Sequence, residues 1–288
     1  MHSVWLHVHV PKAGGSTIRQ LMNRNFGDGF YNSNSLLETK QYTREDVSEI
    51  IRCHPWLRCF CDHKLSLNLP FDSQHANVHA LCFVRNPLDR FISRFFFHRN
   101  FEEVNCIAQK MSFRKFAEME LVEKYSHPQT NSQTNFLNGG NGDKDLTAID
   151  AAVDTGKTVL APIERFDETC VCLQALYPEE FKDLSYVRVN TSNRNDTIEE
   201  PDRQFVSDLL SEDQPLIDLA NQQLNRLIGL AYPDQDDFAK QMTAFKDRCA
   251  RRYHNFHPPR EPGEALPQPG EIATDKSTNK PEHIKRDR

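Results

Sequence analysis

Lys12 heads a short stretch, Lys12-Ala13-Gly14-Gly15-Ser16-Thr17, whose residue types suit the capture of a phosphate-like anion. Glycines let the backbone come close to an anion, and a helix that follows offers free N–H groups and the positive end of its dipole. Lys12 adds a mobile point charge, and Ser16 and Thr17 add hydroxyl donors. This is not the nucleotide-kinase loop, in which the lysine follows the second glycine and a metal-binding hydroxyl comes next. Here the lysine precedes the glycines, and no strand ending in aspartate stands out as a magnesium ligand. Magnesium-dependent phosphoryl transfer is therefore disfavoured. The competing reading of the segment is an ordinary strand-to-helix turn.

A second cluster is Arg85-Asn86-Pro87-Leu88-Asp89-Arg90-Phe91-Ile92-Ser93. Arg85 leaves an apolar run where a helix begins, and its planar fork suits bidentate phosphate binding. Ser93, two turns into that helix, is placed to share the phosphate. Alternatively Arg85 pairs with Asp89 and Ser93 is a solvated hydroxyl.

Hydrophobic periodicity supplies the elements that position these residues. Val4, Leu6, Val8 and Val10 alternate with Trp5, His7 and His9, which predicts a strand over 4–10. A helix through Ile18, Leu21, Met22 and Asn25 follows, with Ser16 or Thr17 as its N-cap. Residues 27–57 read as loop and helix, with a helix start at Thr43-Arg44-Glu45-Asp46. Cys59–Leu65 reads as a short strand or strand end, and His79–Val84 as a strand buried on both faces. Asn86 caps the next helix and Pro87 opens it. A helix over 112–125, a polar loop over 127–147, strands at 158–163 and 186–190, a helix over 167–177 and helical pieces over 202–250 complete the pattern. Alternating strands and helices predict an α/β fold: three layers around a mainly parallel sheet, opened by a P-loop-like strand-loop-helix. In such sheets ligands bind beyond the carboxyl ends of the strands, where both Lys12 and Arg85 fall.

The two clusters together resemble the donor-binding pair of the sulfotransferases, nearest the carbohydrate-modifying group that contains heparan sulfate 2-O-sulfotransferase. Phe60-Cys61-Asp62-His63, Gln133–Gly139 and Leu160–Glu168 are similar to later segments of that group, so the resemblance spans roughly 4–250. It implies an enzyme that transfers a sulfuryl group from 3'-phosphoadenosine 5'-phosphosulfate to a hydroxyl, with no metal. Lys12, Gly14, Gly15, Ser16 and Thr17 would hold the 5'-phosphosulfate, Arg85 and Ser93 the 3'-phosphate, and Thr191 and Ser192 the nucleotide. His63 would be the general base, and Lys12 the cation on the leaving group. Asp62 and Cys61 stand where the group has glycine and, two residues before the base, histidine. His63 also reads as a structural histidine, and Cys59, Cys61 and His63 on one strand face as a weak zinc motif. His7 and His9 read as packing residues, Phe95, Phe96 and Phe97 as core, and Arg94, His98 and Arg99 as either an anion-facing or a solvated helix face. A P-loop nucleotide phosphotransferase and a non-catalytic anion- or glycan-binding protein on the same fold are the alternatives.

Composition sets the outer bounds. With 288 residues, 38% hydrophobic and 26% charged, the chain reads as one globular domain, 1–250. The proline-rich, charged segment 251–288 reads as a disordered tail. No apolar run is long enough to span a membrane, and the N-terminus lacks the pattern of a signal peptide. The net charge is −6, with Lys and Arg in excess over 1–115 and Asp and Glu in excess beyond, so a basic half could attract an anion. Nothing points to nucleic acid. The eight cysteines form no CxxC pair, and free thiols in a reducing compartment fit. The plain expectation is a cytoplasmic protein; the alternative is the Golgi lumen, behind an anchor outside this chain.

Overall fold

The computed structural model describes residues 2–33, 41–68, 74–100, 111–122, 132–140, 142–187 and 197–256. Five strands form one sheet: β1 (Ser3–Val8), β2 (Phe30–Asn32), β3 (Cys59–Asp62), β4 (Asn77–Val84) and β5 (Thr158–Pro162). Their order is β2-β3-β1-β4-β5, and every pairing is parallel. The fold is therefore α/β, as the sequence pattern predicts. Val4 to Val8 are all at most 1% exposed, so helices cover both faces of the central strand. That explains why His7 is buried although its type marks a polar face.

Ten α-helices are described: α1 (Gly15–Phe26), α2 (Arg44–Cys53), α3 (Pro87–Asn100), α4 (Phe113–Ala117), α5 (Gln133–Leu137), α6 (Thr147–Asp154), α7 (Phe166–Leu176), α8 (Glu200–Leu209), α9 (Gln214–Ala231) and α10 (Gln235–Phe256). Thr43 and Asp46 close a reciprocal capping box on α2. Asn86 Oδ1 accepts from Asp89 N at 3.2 Å, and Pro87 opens α3, as expected.

Several expectations change. The cap of α1 is Gly14 in the left-handed region (φ 80°), and Ser16 and Thr17 lie inside the first turn. The first strand ends at Val8. Within the predicted helix at 112–125 the described residues form the short α4 followed by a π-helical turn, Glu118–Val122, and 123–125 lie outside the described residues. The predicted loop at 127–147 contains α5, which Ser132 caps and whose first two N–H groups Asp213 accepts from a distant helix start. β2 and α6 were not anticipated. Tyr186 and Val187 are not strand, and the remainder of that prediction lies outside the described residues. Among the described cysteines all are free: Cys59, Cys61, Cys82, Cys170 and Cys172 are buried, and Cys53 is exposed.

Candidate active site

The strand order reverses direction between β1 and β4, which are neighbours although β2 and β3 intervene in the chain. Loops leaving such a pair diverge and open a crevice at the carboxyl edge. The β1–α1 loop carries Lys12 into that crevice, and the β4–α3 corner carries Arg85.

The loop is tight. Ala13 N donates to Val10 O (3.3 Å), and Thr17 N to Gly14 O (3.1 Å). At Gly14 a side chain would be strained by the positive φ, and its Cβ would meet Ile163 Cδ1 at 2.6 Å. At Gly15 a Cβ would fall 1.6 Å from His9 Nε2, so only hydrogen fits there. Lys12 itself has φ 68°, a conformation rare for a residue with a side chain and characteristic of sites whose surroundings hold it there. The first turn of α1 contains no acidic residue to compete for its N–H groups.

Lys12 Nζ rests over the Phe97 ring, 4.1 Å from its centroid. Burial, aided by Arg85 and Arg94, pushes its pKa down to about 8. Arg94 is held by a nearly buried ion pair to Glu120 (2.7 Å), which the π-helical turn presents. Phe97 thus departs from its core expectation, while Phe95 and Phe96 keep it. Ser93 precedes Phe97 by one helical turn and so shares the face of α3 that meets Lys12.

Arg85 Nη1 donates to the Lys12 carbonyl at 3.2 Å. Its backbone is clamped by the Gln133 side chain, which accepts from Arg85 N (2.9 Å) and donates to Arg85 O (2.7 Å). Glu164 Oε1 accepts from Asn86 N (2.9 Å). Gln133 is fixed in turn by the buried Asp213, which accepts from Gln133 N, Thr134 N, Thr134 Oγ1 and Ser132 Oγ. Buried Arg90 faces Asp213; burial pushes its pKa down to about 10 while Asp213 opposes the shift.

His63 follows the carboxyl end of β3 and is exposed. Its Nδ1 lies 2.9 Å from the His9 carbonyl. A carbonyl only accepts, so Nδ1 carries the proton and Nε2 keeps its lone pair. Burial of one ring face pushes the pKa down, against the pull of the His9 carbonyl and Asp62. Asp62 is buried, accepting from Tyr42 Oη (3.1 Å) and Lys64 N (2.8 Å). Behind it His7 Nδ1 lies 2.9 Å from Cys61 Sγ; burial lifts that thiol to about 12, so its S–H donates to the imidazole. His63 lies past the strand that carries Cys59 and Cys61, and no metal-competent cluster occurs among the described residues.

The structure thus brings Lys12, Gly14, Gly15, Ser16, Thr17, Arg85, Ser93 and His63 to one edge of the sheet. Thr191 and Ser192 lie outside the described residues. Gln133, Glu164 and Asp213 are positioning residues that the sequence alone did not assign. The first two stand in segments singled out by resemblance; Asp213 carried no signal. No helix among the described residues is long and apolar enough to cross a membrane.

A crystal structure of a sulfotransferase from Alicyclobacillus acidocaldarius is similar, with 14% identity and a TM-score of 0.40 over 76% of this chain and 96% of that one. No curated protein matches the sequence. The sequence pattern of the Sulfotransferase family matches residues 2–207, which contain every described site residue except Asp213. The chain belongs to the sulfotransferase family, enzymes that use 3'-phosphoadenosine 5'-phosphosulfate as sulfuryl donor.

Proposed function

We propose that the acceptor is a carbohydrate hydroxyl, that His63 is the general base, and that Lys12 and Arg85 hold the two ends of the donor. The observation that carries this reading is the contact between the Arg85 guanidinium and the Lys12 carbonyl at the reversal point of the sheet. With Arg85 also close enough to act on the Lys12 charge, it supports a pair of cations from different loops, as a doubly phosphorylated nucleoside requires.

The donor supplies a sulfuryl group on a good leaving group. The first turn of α1, with Gly14 and Gly15 allowing close approach and Ser16 and Thr17 donating, receives the 5' end. Arg85 and Ser93 receive the 3'-phosphate. Burial and neighbouring cations depress the Lys12 pKa, and an anion beside it would relieve that cost. During transfer the acceptor O–H proton passes to His63 Nε2 as the new O–S bond forms. Lys12 neutralises charge growing on the bridging oxygen as its bond to sulfur breaks.

Support for a sugar comes from the resemblance and from the surroundings of His63. The base is exposed, and Asn68 five residues on is exposed too and tied to the Asn138 carbonyl at 2.7 Å. An exposed base with an exposed amide near it in the chain suits a hydroxyl-rich substrate rather than an apolar phenol, which an enclosed hydrophobic cleft would bind. Labelled-sulfate transfer to a panel of glycans and small alcohols tests the reading. Turnover confined to small alcohols would overturn the acceptor class, and His63→Ala with full turnover would overturn the base.

A further inference from the structure

His9 joins the two halves of the site. Its ring is 7% exposed and stacks on His63 (centroids 3.9 Å apart, planes at 26°) and on His7 (5.2 Å, 18°). Its Nε2 edge fills the space over Gly15, where any Cβ would collide with it. The base therefore leans on the same ring that packs against the donor loop, and the base's tautomer is fixed by the His9 carbonyl. We propose that His9 is a positioning residue for sulfuryl transfer: a neutral planar spacer that sets His63 at a fixed distance and tilt from the first turn of α1.

This inference rests on His63 being the base. It also accounts for Gly15, whose lack of a side chain is a packing requirement of His9.

Burial keeps the spacer neutral, and the groups around the stack add to it. His7 on β1, Arg19 on α1, Lys12 in the loop and His63 after β3 all disfavour a proton on His9, in addition to its burial, and its pKa falls far below the usual histidine range. Asp62 and the Cys61 thiol lie on the His63 and His7 sides of the stack respectively. Neutrality matters because His63 becomes a cation when it takes the acceptor's proton. A second charged ring at that spacing would oppose the transfer, whereas a neutral π face tolerates it.

The test compares wild type, His9→Gln and His9→Ala in labelled-sulfate transfer, with adenosine 3',5'-bisphosphate titration and circular dichroism to confirm folding and donor-site integrity. His9→Gln keeps a neutral planar group and should hold kcat within about threefold. His9→Ala should lose about 10- to 100-fold in kcat with little change in nucleotide affinity, the signature of a misplaced catalytic group. The acid limb of its pH profile should move upward, because solvent then reaches the His63 face. Gly15→Ala should lose activity, and adding His9→Ala should restore part of it. Should His9→Ala fail to fold, His9→Asn, which stops short of Gly15, carries the same expectation. Unchanged kcat and acid limb in a folded His9→Ala protein would overturn the proposal, as would His9→Gln being as impaired as His9→Ala. If His63→Ala retains full turnover, the base assignment itself fails; if His63→Ala is inactive while His9→Ala is normal, only the role of His9 fails.

Discussion

The Arg85 guanidinium donates to the Lys12 carbonyl at 3.2 Å, joining the loops that leave β1 and β4. Burial of the same lysine, with Arg85 and Arg94 adding, lowers its pKa to about 8. Two loops far apart in sequence thus build one concentrated positive field.

That field gives the affinity for anions a definite pH dependence. Free Lys12 loses its proton around pH 8, and a bound phosphate or sulfate favours the charged form. Binding of adenosine 3',5'-bisphosphate should be steady below about pH 7 and weaken up to about tenfold per unit above pH 8, until the raised pKa of the complex is reached. Calorimetric titration checks this. In Lys12→Met the weakening in that window should vanish, together with about 10- to 100-fold of affinity at neutral pH.

Gln133 touches no ligand in this account, yet it satisfies both backbone polar groups of Arg85. Gln133→Ala would leave them without those partners, a change typically worth about 1–3 kcal/mol. The donor KM should rise about tenfold with a smaller effect on kcat, because the residue sets where Arg85 stands. Steady-state kinetics at saturating acceptor separate the two effects. Gln133→Glu would keep the acceptor facing Arg85 N but lose the donor to Arg85 O, and should fall between.

Buried histidines make the protein acid-labile. His7 has its pKa lowered to about 3 by burial, with His63 and Arg19 adding, and His9 is depressed further still. The unfolded chain binds those protons near pH 6.5, so between 6.5 and 3 it holds more protons than the folded one, and stability falls as pH drops. Each such histidine contributes a slope of about 1.4 kcal/mol per pH unit in that window. Urea midpoints at pH 7, 6, 5 and 4 should fall steeply, and His7→Gln should flatten the fall.

The sheet was legible because strands buried on both faces leave apolar runs, as in Ala80–Val84 and Val159–Ala161. The clusters around Lys12 and Arg85 were legible because glycine, proline and capping residues mark backbone geometry locally. What escaped depends on distant partners. Gln133, Thr134 and Asn135 of α5 are polar yet buried, and the first N–H groups of that helix are satisfied by Asp213 some eighty positions away. β2 holds only Phe30, Tyr31 and Asn32, too few to show a period. His7 and His9 were read as packing residues, but alternation reports which face a residue lies on and not what covers that face, so their stacking with His63 was invisible.

The central claim is that Lys12 and Arg85 grip opposite ends of one nucleotide, and binding selectivity tests it most directly. Adenosine 3',5'-bisphosphate and 5'-AMP should be titrated into wild type and Arg85→Ala, with ATP and magnesium as a control. The wild-type protein should favour the bisphosphate by about 100-fold over 5'-AMP, and Arg85→Ala should lose most of that preference while binding 5'-AMP as before. Tighter binding of ATP–magnesium, or an unchanged preference in Arg85→Ala, would contradict it.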